Sequence, residues 1–159
     1  MSTKEVLPFW SRPVSTLPLQ EALVIQEDAT VKSCIDSMQQ RNTGCVLVVD
    51  DHGHMTGVFT EMDVLAKYIN TPLSGDTPIK KVMTLDALHR YPETTVAEAM
   101  DFFGKHKIRH LPIINRNDGQ IRGLLSIRVL TDFIAEHLPE SVLNLPPKDG
   151  VVSQEAAGG

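Results

Sequence analysis

The sequence predicts an α/β (α+β) protein built from two copies of one β-α-β-β-α unit. The stretch GHMTGVFTEMDVLAKYI, which begins at Gly53, recurs as GQIRGLLSIRVLTDFI from Gly119. An internal repeat of this kind divides a chain into similar structural units. In both copies, short β-rich runs alternate with stretches of helical periodicity. Each copy spans about 60 residues, the size of one supersecondary repeat.

The first strand and the first helix of each unit come before the repeated stretch. The opening strand is expected at Leu23 to Ile25 in the first copy and at Leu88 to Arg90 in the second. Apolar side chains at i, i+3, i+4 and i+7 then indicate a helix. These are Val31, Cys34, Ile35 and Met38 in the first copy, and Val96, Ala99, Met100 and Phe103 in the second. Thr95 and Glu98 resemble a capping box at the start of the second copy's helix.

A strand, a tight turn and a second strand follow in each unit. The runs CVLVVD and LPIIN are β-rich and end in turn residues, and the runs MTGVFT and IRGLLS follow turns that contain Gly53 and Gly119. After Thr60 and Ser126 the periodicity becomes helical again. The apolar residues of these last helices are Val64, Leu65, Tyr68 and Ile69, and Leu130, Phe133 and Ile134.

These patterns divide the chain into four parts. We expect an N-terminal extension (1–16), a first repeat (17–76), a second repeat (77–138) and a flexible C-terminal tail (139–159). The two ends contain several prolines and no sustained periodicity, so we expect them to be loose or only locally docked.

Composition narrows the class of function. The formal net charge is −5, from 15 basic and 20 acidic residues, and the absence of a basic run argues against nonspecific nucleic-acid binding. Cys34 and Cys45 form no CxxC pattern, and the N-terminal segment lacks the features of a signal peptide. No apolar stretch approaches the roughly 20 residues that span a bilayer. We therefore expect a reduced, cytoplasmic protein with no membrane partner.

Thr60 and Asp63 are the first candidate site residues. Thr60 lies where a strand passes into a helix, so its hydroxyl and the free N–H groups of the first turn face any anion placed there. Asp63 carries a carboxylate that can accept hydrogen bonds from the paired hydroxyls of a ribose. The same two residues also form a passable helix-capping pair, and the local sequence leaves both interpretations open. In the second copy Ser126 keeps the cap, but Val129 replaces the acid.

The second copy supplies basic residues instead, in the segment KHKIRHLP. Arg109 offers a planar fork of donors suited to phosphate oxygens, and His110 can add a donor. Gly44 and Cys45 occupy the equivalent positions of the first copy and bring no cation. Taken alone, Arg109 is also compatible with a solvated surface role.

Known catalytic patterns are missing from the sequence. It contains no glycine-rich phosphate loop, no nucleophile elbow and no dinucleotide fingerprint. The six histidines are scattered and lack the Cys, Asp or Glu partners of a metal site. We therefore expect binding without turnover, with no catalytic cofactor and no metal.

The two G-h-h-[ST] segments, the first followed by x-x-D, together with IRHLPII resemble a tandem pair of CBS domains, the Bateman module, over about residues 17 to 138. The resemblance implies two units packed through their sheets with pseudo-two-fold symmetry, and two clefts for adenosine-containing ligands. Those ligands would be AMP, ADP, ATP, NAD or S-adenosylmethionine.

Position by position, the resemblance implies one complete cleft. Asp63 would bind the ribose, Thr60 the phosphate, and Arg109 and His110 would reach the phosphates from the second copy. The adenine would lie against Thr43, Gly44 and Val58, with Pro18 and Leu23 closing the pocket. The second cleft would contain Met83, Leu88, Ile108, Leu124 and Ser126. Because Val129 cannot bind a ribose there, we expect that cleft to be weak, altered or empty.

The resulting hypothesis is a stand-alone, non-catalytic regulatory module that binds an adenine nucleotide between its repeats and senses energy or redox state. The family resemblance also implies a homodimer and an unidentified regulated protein. The alternative is a structural module for dimerisation or protein interaction without a physiological nucleotide, in which Asp63 serves only as a cap.

Overall fold

The structure, a computed structural model, describes residues 8–70 and 74–138, and the side chains of residues 68–70 lie outside the description. In chain order the elements are β1 (Leu23–Gln26), α1 (Val31–Arg41), β2 (Cys45–Val49), β3 (Met55–Thr60), α2 (Glu61–Asn70), β4 (Thr84–Leu85), α3 (Val96–His106), β5 (His110–Ile114), β6 (Ile121–Ser126) and α4 (Ile127–His137). Short 3-10 turns occur at Phe9–Ser11, Val14–Thr16 and Ile79–Lys81. The predicted mixture of helices and strands in two repeated units is confirmed.

The first unit is built on a four-stranded sheet with the order β1-β2-β3-β4. Strand β1 runs parallel to β2, and the pairs β2/β3 and β3/β4 are antiparallel. The second unit has the equivalent hairpin β5/β6. Both hairpins carry a register shift at the same place, between Val48 and Val49 and between Ile113 and Ile114. This shared irregularity shows that the two copies repeat each other down to local strand geometry.

The predicted opening strand of the second unit, Leu88 to Arg90, is reduced to one parallel bridge. The N–H of Arg90 donates to Pro112 (3.0 Å), and the N–H of Ile114 donates to Arg90 (3.0 Å). The next parallel step toward Leu88 would need the N–H of Pro112, which proline does not have. The first copy has Leu47 at this position, and there the predicted strand forms as β1.

The first helix of each unit begins at a threonine cap and ends at a left-handed residue. The N–H of Ser33 donates to the hydroxyl of Thr30 (3.1 Å), and Thr95 and Glu98 form the predicted capping box. Helices α1 and α3 end before Asn42 (φ 49°) and Lys107 (φ 53°). The predicted stripe of α3 is wrong at one position. Met100 is 41% exposed, whereas Phe102 is buried. Counted from Val96, the buried face of the helix includes position i+6 (Phe102) rather than position i+4 (Met100).

Two equivalent segments cross from one repeat to the other. These lead-in segments are residues 12–17 and 77–82. The N–H of Val14 donates to the carbonyl of Thr94 in the second repeat (2.7 Å), and the N–H of Ile79 donates to the carbonyl of Ala29 in the first repeat (2.7 Å). Each lead-in segment therefore binds beside the first helix of the other unit, as pseudo-two-fold symmetry requires.

The sequence predicts an N-terminal extension that is loose or only locally docked, and its described part is docked. Val14 is fully buried and Leu17 is 4% exposed, both within the core of the second repeat, and Phe9 packs against the same core. Residues 1–7 and the predicted tail, 139–159, lie outside the described residues. Among the helices described, none is long and apolar enough to span a bilayer.

Three apolar clusters hold the fold together. The first repeat packs α1 and its sheet around Phe59, Val46 and Val48, and the second repeat packs α3 and α4 around its own hairpin. The third cluster joins the repeats and contains Cys45, Leu47, Leu124, Ala22, Met55, Val58 and Ile121. Because this cluster takes residues from the sheets of both repeats, it fixes how they face each other.

Candidate functional site

A cavity of about 510 Å³ lies where the two repeats meet. This volume is within the range of small-molecule sites, roughly 300–1,000 Å³. The first repeat contributes Gly44, Cys45, Val58, Thr60, Glu61, Met62 and Asp63. The second repeat contributes Thr84, Ala87 and Leu88 from its beginning, and Lys107, Ile108, Arg109, His110 and Pro112 from the start of β5. The predicted residues Asp63, Thr60, Val58, Gly44, Arg109 and His110 are therefore brought together.

The fold places a helix start from one repeat opposite a strand start from the other. Strand β3 ends at Thr60, where α2 begins, and β5 begins at His110 after the left-handed turn at Lys107. In each repeat, an equivalent backbone hydrogen bond ties the start of the last helix to the residue before the middle strand. The N–H of Glu61 donates to the carbonyl of Gly44 (2.9 Å), and the N–H of Ile127 donates to the carbonyl of Arg109 (2.9 Å). Acidic groups thus line one side of the cavity, and basic groups line the other.

Thr60 and Asp63 form a reciprocal cap at the start of α2. Oδ2 of Asp63 accepts from the N–H of Thr60 (2.9 Å) and from its hydroxyl (3.2 Å), and the N–H of Asp63 donates to that hydroxyl (3.4 Å). The capping interpretation is therefore correct as geometry. It does not exclude ligand binding, because each carboxylate oxygen has two lone pairs and Oδ1 accepts no bond from the cap.

Lys67 holds the second oxygen of Asp63 and was missed by the sequence interpretation. Its Nζ lies 3.5 Å from Oδ1 of Asp63, donates to the carbonyl of Val82 and lies 5.9 Å from the ring centroid of Phe59. The spacing of four residues along the helix is the signal that could have revealed the ion pair. Lys67 thereby ties the acid of the first repeat to the chain that leads into the second.

The basic side of the cavity consists of Lys107, Arg109 and His110. Arg109 and Lys107 are exposed, whereas His110 is half-buried. Burial lowers the pKa of His110 from its ordinary value of 6.5; the carboxylate of Glu61 opposes this shift and the guanidinium of Arg109 adds to it. The pKa of His110 is therefore set by burial first, and by the opposing charges of Glu61 and Arg109 second.

Part of the predicted lining is exchanged between the two clefts. Leu88 and Ile108, expected in the second cleft, line the cavity that contains Asp63. Pro18 and Leu23, expected here, are not among its lining residues. For Leu88 the exchange occurs because β4 pairs with β3 and carries the following chain onto the first repeat.

The same crossing occurs on the opposite side of the pseudo-two-fold axis. Gln20 and Leu124 exchange two backbone hydrogen bonds of 2.9 Å, which brings the segment before β1 onto the second repeat. Met83, also expected in the second cleft, packs against Gly57 in β3. Position along the chain did not reveal these crossings, because Gln20 is close in sequence to β1 but pairs with Leu124, which is distant in sequence.

Thr43 lies beside the cavity rather than in its lining. Its hydroxyl lies 3.3 Å from the carbonyl oxygen and 3.4 Å from the amide nitrogen of Cys45. It lines a neighbouring groove of about 520 Å³ between α1 and α2. The groove and the cavity share Gly44, Glu61 and Met62. A substitution at any of these three residues would therefore alter both the groove and the cavity.

The second cleft differs in chemistry. Ser126, a predicted site residue, is 5% exposed, and its hydroxyl caps α4 by accepting from the N–H of Val129 (3.2 Å). Val129 packs against the core of the second repeat. Its counterpart in the first copy is Asp63, so the acid has no equivalent in the second repeat. Gly44 and Cys45, the counterparts of Arg109 and His110, line the cavity that contains Asp63 rather than a separate one.

The cavity contains a thiol, but that thiol is not a prepared nucleophile. Burial, together with the charge of Asp63, raises the pKa of Cys45 to about 12. Burial also raises the pKa of Cys34, in the core of the first repeat, to about 11. Within the described part of the chain, no group of three or more His, Cys, Asp or Glu side chains is arranged to hold a metal ion.

Comparison with known proteins gives a consistent picture. A sequence profile of the CBS domain matches residues 14–70 and 79–136. An uncharacterised 17.7 kDa protein of Acidianus ambivalens is 32% identical over 117 residues, which cover 74% of this chain and 70% of that protein. A CBS domain-containing protein of Arabidopsis thaliana is 31% identical over 126 residues, which cover 78% of this chain but only 23% of the plant protein.

Solved structures share the fold. A conserved uncharacterised protein from Pyrococcus horikoshii superposes with a TM-score of 0.71 at 22% identity, covering 82% of this chain and 96% of that one. CBSX2 in complex with AMP gives 0.68 at 20% identity, covering 78% and 96%. The CBS domain pair of protein MJ0100, in complex with 5-methylthioadenosine and S-adenosyl-L-methionine, gives 0.70 at 13% identity, covering 80% and 98%.

Proposed function

We propose that this chain, which belongs to the CBS domain family, is a non-catalytic regulatory module that binds an adenosine-containing nucleotide in the cavity beside Asp63. The ligand class is AMP, ADP, ATP or NAD. Binding there would report the energy or redox state of the cell to a regulated protein. A cytoplasmic location and a homodimer remain part of this proposal.

The observation that carries the proposal is that one cavity joins the acid of the first repeat to the basic residues of the second. Asp63 has acceptor capacity left on Oδ1, which suits the two hydroxyls of a ribose. The basic side chains of Arg109 and Lys107 line the same cavity, and such side chains suit phosphate oxygens. The two groups come from different repeats, so one ligand would contact both.

The remaining lining suits a planar base. Val58, Ala87, Leu88, Ile108 and Pro112 form apolar walls between the acidic and basic sides. Small-molecule sites commonly combine such walls with a few polar groups that set orientation. Two structural neighbours, CBSX2 with AMP and the MJ0100 pair with adenosine-based sulfur compounds, were solved with ligands of this class.

One principal site per chain follows from the asymmetry of the two clefts. The positions equivalent to Asp63, Arg109 and His110 in the other copy are Val129, Gly44 and Cys45, none of which brings a charge. A ligand that needs both a ribose acceptor and a phosphate partner would bind the first cleft. It would shift the arrangement of the repeats only by the difference in its affinity for the alternative states.

Calorimetric titration with AMP tests the proposal. We expect about one site per chain, and we expect Asp63→Ala to weaken binding by about 1–3 kcal/mol, the cost of losing a charged hydrogen-bond acceptor. Because Asp63 also caps α2, the substitution lowers stability as well. A control variant is therefore needed that loses a helix cap, and with it stability, without losing a residue of the cavity.

Glu98→Ala is the matched control. Glu98 closes the same kind of capping box at the start of α3, through the N–H of Thr95 (2.8 Å), but it does not line the cavity. Both alanine variants should lose up to about 1–2 kcal/mol of stability through the cap. Only Asp63→Ala should lose affinity. Equal affinities for both variants would refute the site.

The alternative, a protein-interaction module without a nucleotide, is supported by one feature. Met62 and Leu65 on α2 are 61% and 55% exposed beside the groove between α1 and α2. Under this alternative no adenine nucleotide raises the melting temperature of the chain, whereas a ligand at 100 times its Kd stabilises by about 2.7 kcal/mol. A thermal-shift series with AMP, ADP, ATP and NAD separates the two.

A further inference from the structure

We propose that Glu61 limits the number of phosphate groups that the cavity accepts. This inference rests on the proposed nucleotide function and concerns selectivity within it. Asp63 and Glu61 are the two carboxylates among the residues lining the cavity. Asp63 is already engaged by the cap and by Lys67. The hydrogen bonds of the cap do not involve the Glu61 side chain, and Glu61 lines the same cavity as the basic residues Lys107, Arg109 and His110.

The position of the Glu61 carboxylate is set by Gly44. The N–H of Glu61 donates to the Gly44 carbonyl (2.9 Å), and the side chain folds back over that glycine. A Cβ atom added to Gly44 would lie 2.7 Å from Oε2 of Glu61. The absence of a side chain at residue 44 therefore makes the space that the carboxylate occupies. Glu61 lines the cavity, as do Arg109 and His110.

This arrangement occurs in one repeat only. In the second repeat the residue equivalent to Glu61 is Ile127, which makes the matching backbone bond to Arg109 (2.9 Å). The acid Glu61 therefore lies in the cavity that also contains the basic residues of the second repeat, and the second repeat has no acid at the equivalent position. The acid partly offsets Lys107 and Arg109, so the cavity has less net positive charge than its basic residues alone would suggest.

The consequence for ligands is a penalty that grows with phosphate number. Glu61 lines the cavity and is exposed to solvent, so its field acts through a water-like dielectric. A unit charge about 5–6 Å away in such a medium changes affinity by roughly threefold. Over the two additional phosphate groups that distinguish ATP from AMP, the effect is about three- to tenfold. Adenosine, which carries no charge, is unaffected.

The test is calorimetric titration of the full chain and its Glu61→Gln variant with adenosine, AMP, ADP and ATP in magnesium-free buffer. Glutamine keeps the shape of the side chain and removes its charge. We expect unchanged affinity for adenosine and a gain that rises along the series, so that the affinity ratio of ATP to AMP increases at least threefold. The gain should shrink in about 1 M salt, where charges a few ångströms apart are screened.

Glu136→Gln is the matched control, because it removes the same charge from α4, where the residue is exposed and lines none of the cavities described above. An unchanged ATP to AMP ratio in Glu61→Gln, or an equal change in Glu136→Gln, would overturn the role of Glu61. Equal losses for all four ligands would also overturn it, since they would make Glu61 a general binding residue. If the unmodified chain binds none of the four, the proposed function itself fails.

Discussion

Substitution of Val14 by alanine is the sharpest test of how the fold is assembled. Val14 belongs to a segment that the sequence predicts to be loose or only locally docked, and it is fully buried in the core of the second repeat. Its N–H also donates to the carbonyl of Thr94 (2.7 Å). If the segment is part of the core, its side chain must contribute to global stability.

The magnitude follows from the atoms removed. Val14→Ala deletes two methyl groups from a site with no solvent exposure. At about 0.8 kcal/mol for each carbon removed, the transfer contribution is about 1.6 kcal/mol. A cavity that the neighbours cannot fully close adds to this, so we expect a total loss of about 1.5–3 kcal/mol. For a chain of this size, that loss lowers the melting temperature by about 3–12 °C.

Urea unfolding followed by circular dichroism measures the loss, with thermal unfolding as a second probe. The control is Ser15→Ala, since Ser15 is the exposed neighbour of Val14 and a surface change of this kind should stay within about 0.5 kcal/mol. A Val14→Ala variant that is destabilised by no more than the Ser15→Ala control would refute the docking of the lead-in segment. An unchanged slope of the urea transition would show that the two variants unfold to similar states.

Two further predictions concern the titratable groups. Burial holds the pKa of His110 below 6.5, and a nearby phosphate would raise that pKa again, so AMP binding should take up a proton and strengthen as the pH falls from about 8 to about 6. Calorimetry in buffers of different ionisation enthalpy measures the proton uptake. The same uptake in a His110→Gln variant would contradict this prediction. The pKa values of Cys34 and Cys45 are raised to about 11 and about 12. Because the thiolate is the reactive form, both should react with Ellman's reagent only slowly at about pH 8 until denaturant is added. Reaction of the native chain at the rate of free cysteine would argue against their burial.

Much of the fold could be predicted from local pattern. The hairpins, both capped helices and the repeat itself depend on neighbours close in sequence, so periodicity and turn residues reveal them. The opening strand of the second repeat could not be predicted this way. Its pairing depends on the N–H groups of another strand, and Pro112 lacks the one that is needed.

The site was predictable only in part, for the same reason. Thr60 and Asp63 are three residues apart on one helix turn, and Arg109 and His110 are adjacent, so each pair is visible in the sequence. The crossing of the lead-in segments is not visible in the sequence in this way. The two copies are offset by 65 residues, and this offset continues upstream to the pair Val14 and Ile79. That spacing was available in the sequence and would have placed residues 12–17 within a repeat.

The amino-acid sequence by itself determined that this protein is a duplicated β-α-β-β-α unit, and that the acid and the basic pair lie in different copies. Those features are local, because they depend on residue type and spacing. Only the tertiary structure decided which segments line each cleft, that Lys67 holds Asp63, and that Glu61 lies over Gly44. These contacts depend on strands that pair across the two repeats, whose partners are distant along the chain and are brought together by packing of the shared core.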